Sequence, residues 1–454
     1  MTHIAGFDFG TSNCAVGVMQ DGQPQLVQLP DHGNYMASTL YAPQPEMICG
    51  WLHQQLEHAG LGHDYKQARM AAVGPSLFAL KEAKLDGYGD QLEFGQAALQ
   101  HYLEDPADCY YVRSPKSFLG ASGLPARQQI QFEDIAASMM WHIAQQVRNS
   151  GAGSMEKVVI GRPVNFQGVN AELSNQQAIS ILTNAAQFVG FKQVAFLYEP
   201  MAAGLAYQQQ LQQEQQILVI DIGGGTSDVS MLTMGPGYLD SRDHQSLVQG
   251  FSGERIGGND FDIALNYRGL MPALGLGKLL PGNRSMPIKP FLNAASINLL
   301  PAQTEFYSMD TMQLLTRCAR EPGLAMLNGL ITLSKERMTY RLSADAERAK
   351  IALSSSDSTQ VELNYLLDNL DVQLSAQQFA DASERLLKRI AELTDDVIRQ
   401  AGHQPDGIFL TGGSANSPLL KHFLSSRYQA PLISGDNFGS VTTGLTLWAN
   451  KIFS

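Results

Sequence analysis

The feature that most constrains this chain is a two-fold internal echo. Residues 4–9 are an apolar run carrying Asp8, followed by the turn Gly10-Thr11-Ser12-Asn13 and a second apolar run at 14–19. The same grammar returns at 217–222, with Asp221, then Gly223-Gly224-Gly225-Thr226-Ser227, then an apolar run at 228–233. A strand ending in Asp, a Gly-bearing turn and another strand, repeated once, argue for two related halves and against a short-period solenoid. Asp21-Gly22 is a tight hairpin signal that leads into a third strand at 25–29.

Helical patterns separate the echoes. Residues 171–189 place Leu173, Ala178, Ile181, Leu182, Ala185 and Phe188 near helical spacing, after a buried strand at 158–160. Residues 375–401 are strongly periodic, with Ser375 as N-cap. A short strand at 408–410 runs into Thr411-Gly412-Gly413-Ser414, and a Gly-bearing helix follows at 443–450. Strands alternating with long helices predict an α/β class with mixed sheets. Residues 42–110 and 268–330 lack clear periodicity and read as peripheral subdomain material. The Gln-rich stretch 208–216 reads as a polar connector.

Composition limits the function classes. Hydrophobic residues make up 44% of the 454, so wholesale disorder is excluded. A net charge of −12 argues against a phosphate-backbone binder and against a protein of anionic membrane surfaces, so neither nucleic acid nor membrane is expected as a partner. No apolar run is long enough to span a bilayer, and the N-terminus has no basic leader. Cys14, Cys49, Cys109 and Cys318 lie far apart, as in a reducing compartment, and a cytoplasmic location is expected. His53, His58 and His63 recur every five residues, which is no helical face, so a metal site is not expected there. His142 reads as structural.

Four constellations could carry chemistry. In Asp8-Phe9-Gly10-Thr11-Ser12-Asn13, backbone N–H groups of the turn can face phosphate oxygens, and the carboxylate can reach a hydrated Mg²⁺. The alternative is an ordinary polar hairpin. In Asp221-Ile222-Gly223-Gly224-Gly225-Thr226-Ser227-Asp228, three glycines in a row lose much chain entropy unless a ligand approaches the backbone closely. Thr411-Gly412-Gly413-Ser414 suits either a nucleoside phosphate near a helix N-terminus or a helix capped by Ser414. Tyr198-Glu199-Pro200 reads as a helix start. Neither a Walker P-loop nor a GxGxxG fingerprint is present.

Taken together, these segments resemble the ATPase domain of the DnaK-type (70-kDa heat-shock) chaperones, within the actin/hexokinase-like superfamily. The carrying residues are GFDFGTSN at 6–13, KSFLG at 116–120, GRPVNF at 161–166, LYEPMAAGLAY at 197–207 and VIDIGGGTSDVS at 219–230. IGGNDFD at 256–262, ERAKIALSSS at 347–356 and FLTGGSANSPLL at 409–420 complete the set. Within the family, the divergent YegD-type group, which lacks the peptide-binding domain, is the nearest match. The resemblance is strong at the glycine loops and weak over 42–110 and 268–330.

The resemblance implies a two-lobed actin-like fold of duplicated ribonuclease H-like domains, each a mixed five-stranded sheet flanked by helices. Lobe I would be 1–212, with a peripheral subdomain at about 36–110. Lobe II would be 213–454, with one at about 262–370 and a C-terminal helix at about 440–454 returning toward lobe I. ATP or ADP with Mg²⁺ is the implied cofactor. Asp8 and Asp221 would hold the metal through water. Gly10, Thr11, Ser12, Gly223, Gly224, Gly225 and Thr226 would contact phosphates, and Lys116 would face the γ-phosphate. Glu199 and Asp228 would position the attacking water or the metal shell, while Glu347, Lys350, Ser354, Gly412, Gly413 and Ser414 surround the adenosine. The family brackets the base with two arginines; here Ile351 and Asn416 stand there, which predicts weaker binding or an altered base preference. Asn13 stands where an aromatic is usual. No client-binding half is expected after Ser454. The implied function is a slow Mg²⁺-dependent ATPase; the alternatives are a nucleotide-gated binding module with an unidentified protein partner, and a small-molecule kinase.

Overall fold

A computed structural model describes the chain except residues 1, 90, 107–108, 167–169, 209–210, 237–246 and 435–438. Two sheets organise it. In the first, Gln23–Leu26, Asn13–Gln20, Thr2–Phe9, Ser154–Arg162 and Gln193–Tyr198 lie side by side in that order, with the short Met36–Ala37 strand pairing onto Asn13–Gln20. In the second the order is Val248–Glu254, Ser227–Met234, Gln215–Ile222, Gly407–Thr411 and Leu432–Ser434. The hairpin strands pair antiparallel and the two after the crossover pair parallel, in both sheets alike. The α/β class and mixed sheets predicted from the pattern are present.

The Phe9↔Cys14 and Ile222↔Ser227 pairs close two equivalent turns, so each glycine loop sits at the same corner of its sheet. Both central strands read as continuous apolar runs because both faces are covered by helices. The Ala376–Ala401 helix begins at Ser375, which accepts from the Gln378 N–H in a capping box, and stops at Gly402 in the left-handed region (φ 76°). The Ala171–Phe188 helix is capped by Asn170.

A separate core unites the sheets. Val159 and Leu197 of the first meet Ile217, Val219 and Phe409 of the second, together with Ala202, Leu445 and Ala449. Ala202 belongs to the Glu199–Gln208 helix and Leu445 to the Gly439–Phe453 helix. The latter helix packs closely because side chains are missing at the contacts. A Cβ on Gly444 would lie 1.7 Å from the Ala202 carbonyl oxygen, and one on Gly6 would lie 2.3 Å from the Thr446 nitrogen.

The two aperiodic stretches are mostly helical. Residues 42–110 form Met47–His58, Gly62–Ala68, Met70–Leu85 and Gly95–Glu104, against a small sheet of Thr39–Ala42, Glu93–Phe94 and Tyr110–Arg113. The Met70–Leu85 helix is apolar all round: Val73 and Leu80 are buried while Met70, Phe78 and Leu85 are exposed, so no stripe marks it. Residues 268–330 fold into short helices such as Lys289–Ala295 and Leu300–Phe306, opened by Pro290 and Pro301. Too few turns follow each proline for periodicity to emerge. In the connector at 208–216, Gln208 ends a helix, Gln215 and Gln216 open a strand, residues 211–214 belong to neither, and residues 209–210 lie outside the described residues.

No disulfide joins the four cysteines, and Cys14, Cys49 and Cys318 are buried. No helix among the described residues is long and apolar enough to cross a membrane.

Candidate functional site

The two glycine corners and the Thr411–Ser414 turn face one another. They enclose a narrow cavity of about 70 Å³ lined by Asp8, Gly10, Thr11, Ser12, Glu199, Asp221, Gly223, Gly224, Thr226, Gly412 and Gly413. A Cβ on Gly224 would sit 1.9 Å from the Ser12 hydroxyl oxygen, and one on Gly225 would sit 3.0 Å from Thr11 Cγ2. Close approach of the two corners therefore explains the glycine run. Behind Gly224, the Gly258 N–H donates to the Gly223 carbonyl at 2.9 Å and the Asn259 N–H to the Gly224 carbonyl at 2.8 Å. These bonds brace the loop against the helix that starts at Gly258.

The charged floor of this cavity is crowded. Lys116 is buried and ion-paired to Glu199 Oε1, and it also donates to the Gly161 carbonyl at 3.2 Å. Burial opposes its ammonium, but the Glu199 and Asp8 charges outweigh burial and hold its pKa above the ordinary value. Asp8 opens onto the cavity and is otherwise enclosed. Burial, then the Glu199 charge, pushes its carboxyl up to about 7 against the pull of Lys116. Asp221 is pushed well above the carboxylate range by burial and then by Glu199, Asp228 and Asp8. Asp228 rises to about 7 through burial and Glu199, although its Oδ1 accepts the Val164 N–H at 2.8 Å and Thr226 lies in hydrogen-bond reach.

A second cavity of about 370 Å³ shares Ser12, Asn13, Gly223, Gly224 and Gly413 with the first. Its far wall carries Glu347, Lys350, Ser354 and Ser414, with Ile351 and Asn416 beside them and Phe261, Phe379 and Leu420 beneath. Lys350 is ion-paired to the buried Asp262 at 2.7 Å and reaches the Gly258 carbonyl at 3.3 Å. Burial, then Glu347, pushes Asp262 up to about 6. Glu347 takes an ion pair at 2.6 Å from Arg113, which comes from the small sheet of residues 39–113.

The residues assigned from the sequence to phosphate, metal and nucleoside thus line, or directly back, one connected pair of cavities. Ser414 caps no helix: the next one starts at Pro418 with Ser417 before it. Ser414 faces the larger cavity instead. His53, His58 and His63 lie elsewhere. Among the described residues, no group of three or more His, Cys, Asp or Glu could hold a metal ion. Sequence reasoning overlooked Tyr35, which lines the phosphate-sized cavity, and Arg113; neither lies in a recognisable motif. It also gave no role to Asp262, although that residue ends the IGGNDFD segment.

Several known proteins are similar to this chain in sequence over most of its length. A chaperone protein dnaK3 of Synechocystis sp. is 24% identical over 439 residues, covering 94% of this chain and 45% of its own length. The chaperone protein dnaK3 of Thermosynechococcus vestitus is 23% identical over 435 residues, covering 93% of this chain and 51% of its own. The chain spans about half the length of these curated relatives. The Hsp70 protein family profile matches residues 117–268 and 327–444, more than half of the chain, taking in every strand of the second sheet and the Ser154–Arg162 and Gln193–Tyr198 strands of the first, so the chain belongs to the Hsp70 family.

Proposed function

We propose that the protein binds ATP and hydrolyses it slowly with Mg²⁺, its two lobes closing on the nucleotide. The observation that carries this reading is the meeting of Asp8, Lys116, Glu199, Asp221 and Thr226 at a phosphate-sized cavity that opens into a nucleoside-sized one. We read the lobes as 1–212 and 213–454, with peripheral subdomains at about 36–110 and 262–370; the matching strand orders support a duplicated ribonuclease H-like origin.

In this reading the triphosphate lies along the backbone N–H groups of the two corners, and the nucleoside lies among Glu347, Lys350, Ser354, Gly412, Gly413 and Ser414. Mg²⁺ suits the donor set: Asp8 and Asp221 are hard oxygen ligands whose burial and mutual repulsion a divalent cation relieves. When bound, the ion would neutralise charge on the phosphate oxygens. Lys116 offsets negative charge that develops on the transferred phosphoryl group. Glu199 and Asp228 orient the attacking water, and Asp228, whose pKa burial and then the Glu199 charge raise to about 7, can take its proton when ionised.

A purified sample should release phosphate from ATP with Mg²⁺, and Lys116→Ala should not. No release above background, with Lys116→Ala identical, sinks hydrolysis. Absence of ATP or ADP affinity in calorimetry sinks nucleotide binding altogether.

A second reading, a nucleotide-gated binding module with little turnover and an unidentified protein partner, draws support from the base end. Ile351 there is 61% exposed and contributes no cation to the base. We read the location as cytoplasmic, in keeping with four cysteines that form no disulfide.

A further inference from the structure

Arg162 ends the Ser154–Arg162 strand beside the site, outside every role given above. Its guanidinium lies 4.8 Å from the centre of the Tyr198 ring and 5.8 Å from that of Phe166. Nε donates to the Pro163 carbonyl at 3.2 Å and Nη2 to the Val164 carbonyl at 3.3 Å. Each partner leads to a site residue. Tyr198 directly precedes Glu199. Val164, whose carbonyl Arg162 holds, donates its own N–H to Asp228 at 2.8 Å. That bond joins a loop after the first sheet to the second sheet's carboxylate.

We propose that Arg162 is a positioning residue: by clamping the Pro163–Val164 carbonyls and stacking on Tyr198 and Phe166, it aligns Asp228 and Glu199 for the hydrolytic step, without holding nucleotide itself. A planar, always-charged fork that bonds two carbonyls while stacking on rings is specific to arginine. A lysine would supply charge but neither the paired donors nor the flat face. Burial lowers the pKa of Arg162 from its ordinary value, against the charges of Tyr198, Asp228 and Glu199, which favour its cation. Its removal therefore leaves more uncompensated negative charge beside the acting carboxylates.

The inference rests on the hydrolytic reading, and the test separates the two. Arg162→Met and Arg162→Lys are compared with wild type by single-turnover ATP hydrolysis, ADP calorimetry and amide exchange over residues 161–166. We expect Arg162→Met to slow hydrolysis about 10- to 100-fold, the scale of a misaligned reacting group, while ADP affinity stays within about threefold. Arg162→Lys should recover little of the rate. Added guanidinium should restore part of the Arg162→Met rate, which a merely structural arginine would not allow. The Val164 amide should exchange faster in both variants. Wild-type hydrolysis in Arg162→Met overturns the inference, as does an equal loss of rate and ADP affinity. If the wild-type protein itself releases no phosphate, the hydrolytic reading fails and amide exchange decides alone: unchanged protection in the variants overturns the clamp, and faster exchange retains it.

Discussion

Asp228 stands directly across the antiparallel ladder from Asp221, whereas the position opposite Asp8 in the first sheet is Ala15. The two corners are equivalent in backbone and unequal in charge. The second sheet brings two carboxylates and the first brings one, with Lys116 and Glu199 entering from elsewhere on the first sheet's side. Burial first, and then the surplus of acid over base in that closed space, drives the upward shifts at Asp8, Asp221 and Asp228.

That surplus makes the nucleotide-free protein less stable than it could be. Asp8→Asn removes one buried charge from a repelling group and is expected to raise the melting temperature at pH 8 without Mg²⁺, by an amount corresponding to about 1–3 kcal/mol. The stabilisation of wild type by Mg²⁺ and ADP together should shrink in the variant. Calorimetric melting with and without Mg²⁺ and ADP checks both. A lower melting point in the free variant contradicts the charge argument.

Lys116 illustrates the opposite sign. Lys116→Met strands Glu199 and Asp8 without their cation and should cost about 3–5 kcal/mol, the penalty for breaking a buried pair from one side. The double variant Lys116→Met/Glu199→Gln should regain much of that stability while staying inactive. Chemical denaturation and phosphate release on the same samples separate the two losses.

At the meeting of the corners, Gly224→Ala puts a methyl where the Ser12 hydroxyl now lies. ADP affinity should fall at least about tenfold, since a clash of this kind typically costs 1–3 kcal/mol or more. Adding Ser12→Gly should restore part of it, and calorimetry reads the difference. If Gly224→Ala binds ADP normally, the corners are not in contact.

The base end permits a gain. Ile351 is exposed at the cavity rim, so Ile351→Arg carries little folding cost. A guanidinium stacked on the base is worth about 0.5–2 kcal/mol, which predicts ADP binding tighter by about 2- to 30-fold. Unchanged affinity would mean that the base does not rest against residue 351.

Outside the nucleotide cavities, His32 and His142 share a hydrogen bond at 2.9 Å, and His142 stacks on Phe94 with ring centres 4.4 Å apart. Burial, then His32, pushes His142 down to about 4, with Asp31 opposing. An unfolded histidine titrates near 6.5, so between those values the unfolded chain binds the extra proton. Stability from His142 is therefore present above about pH 6.5 and is lost progressively as pH falls toward 4, by at most about 3 kcal/mol. The carboxylates Asp8 and Asp228 slope the other way, so the quantity to measure is the difference between wild type and His142→Phe. The wild-type advantage should vanish in acid; a constant difference from pH 4 to 8 contradicts this.

Legibility in the sequence followed local grammar. The two corners were readable because strand, Asp, glycine turn and strand are consecutive, and the long helix at Ala376–Ala401 because its stripe persists for many turns. The gathering of Lys116, Glu199 and Lys350 around those corners was not a matter of spacing; the family resemblance supplied it. Arg113 and Tyr35 escaped because their place at the cavity walls depends on tertiary folding, with no motif around either. The helices of 42–110 escaped because the Met70–Leu85 helix shows apolar residues on every side, which erases the periodic signal.

The Gly439–Phe453 helix follows the last strand of the second sheet in sequence yet fits against Gly6 at the very start of the chain. During synthesis the opening strand must therefore wait, one side uncovered, while more than four hundred further residues emerge from the ribosome. The helical cover of the first sheet is thus added long after its strands are made, and a nascent chain stalled before that helix should remain protease-sensitive in its earliest-made part.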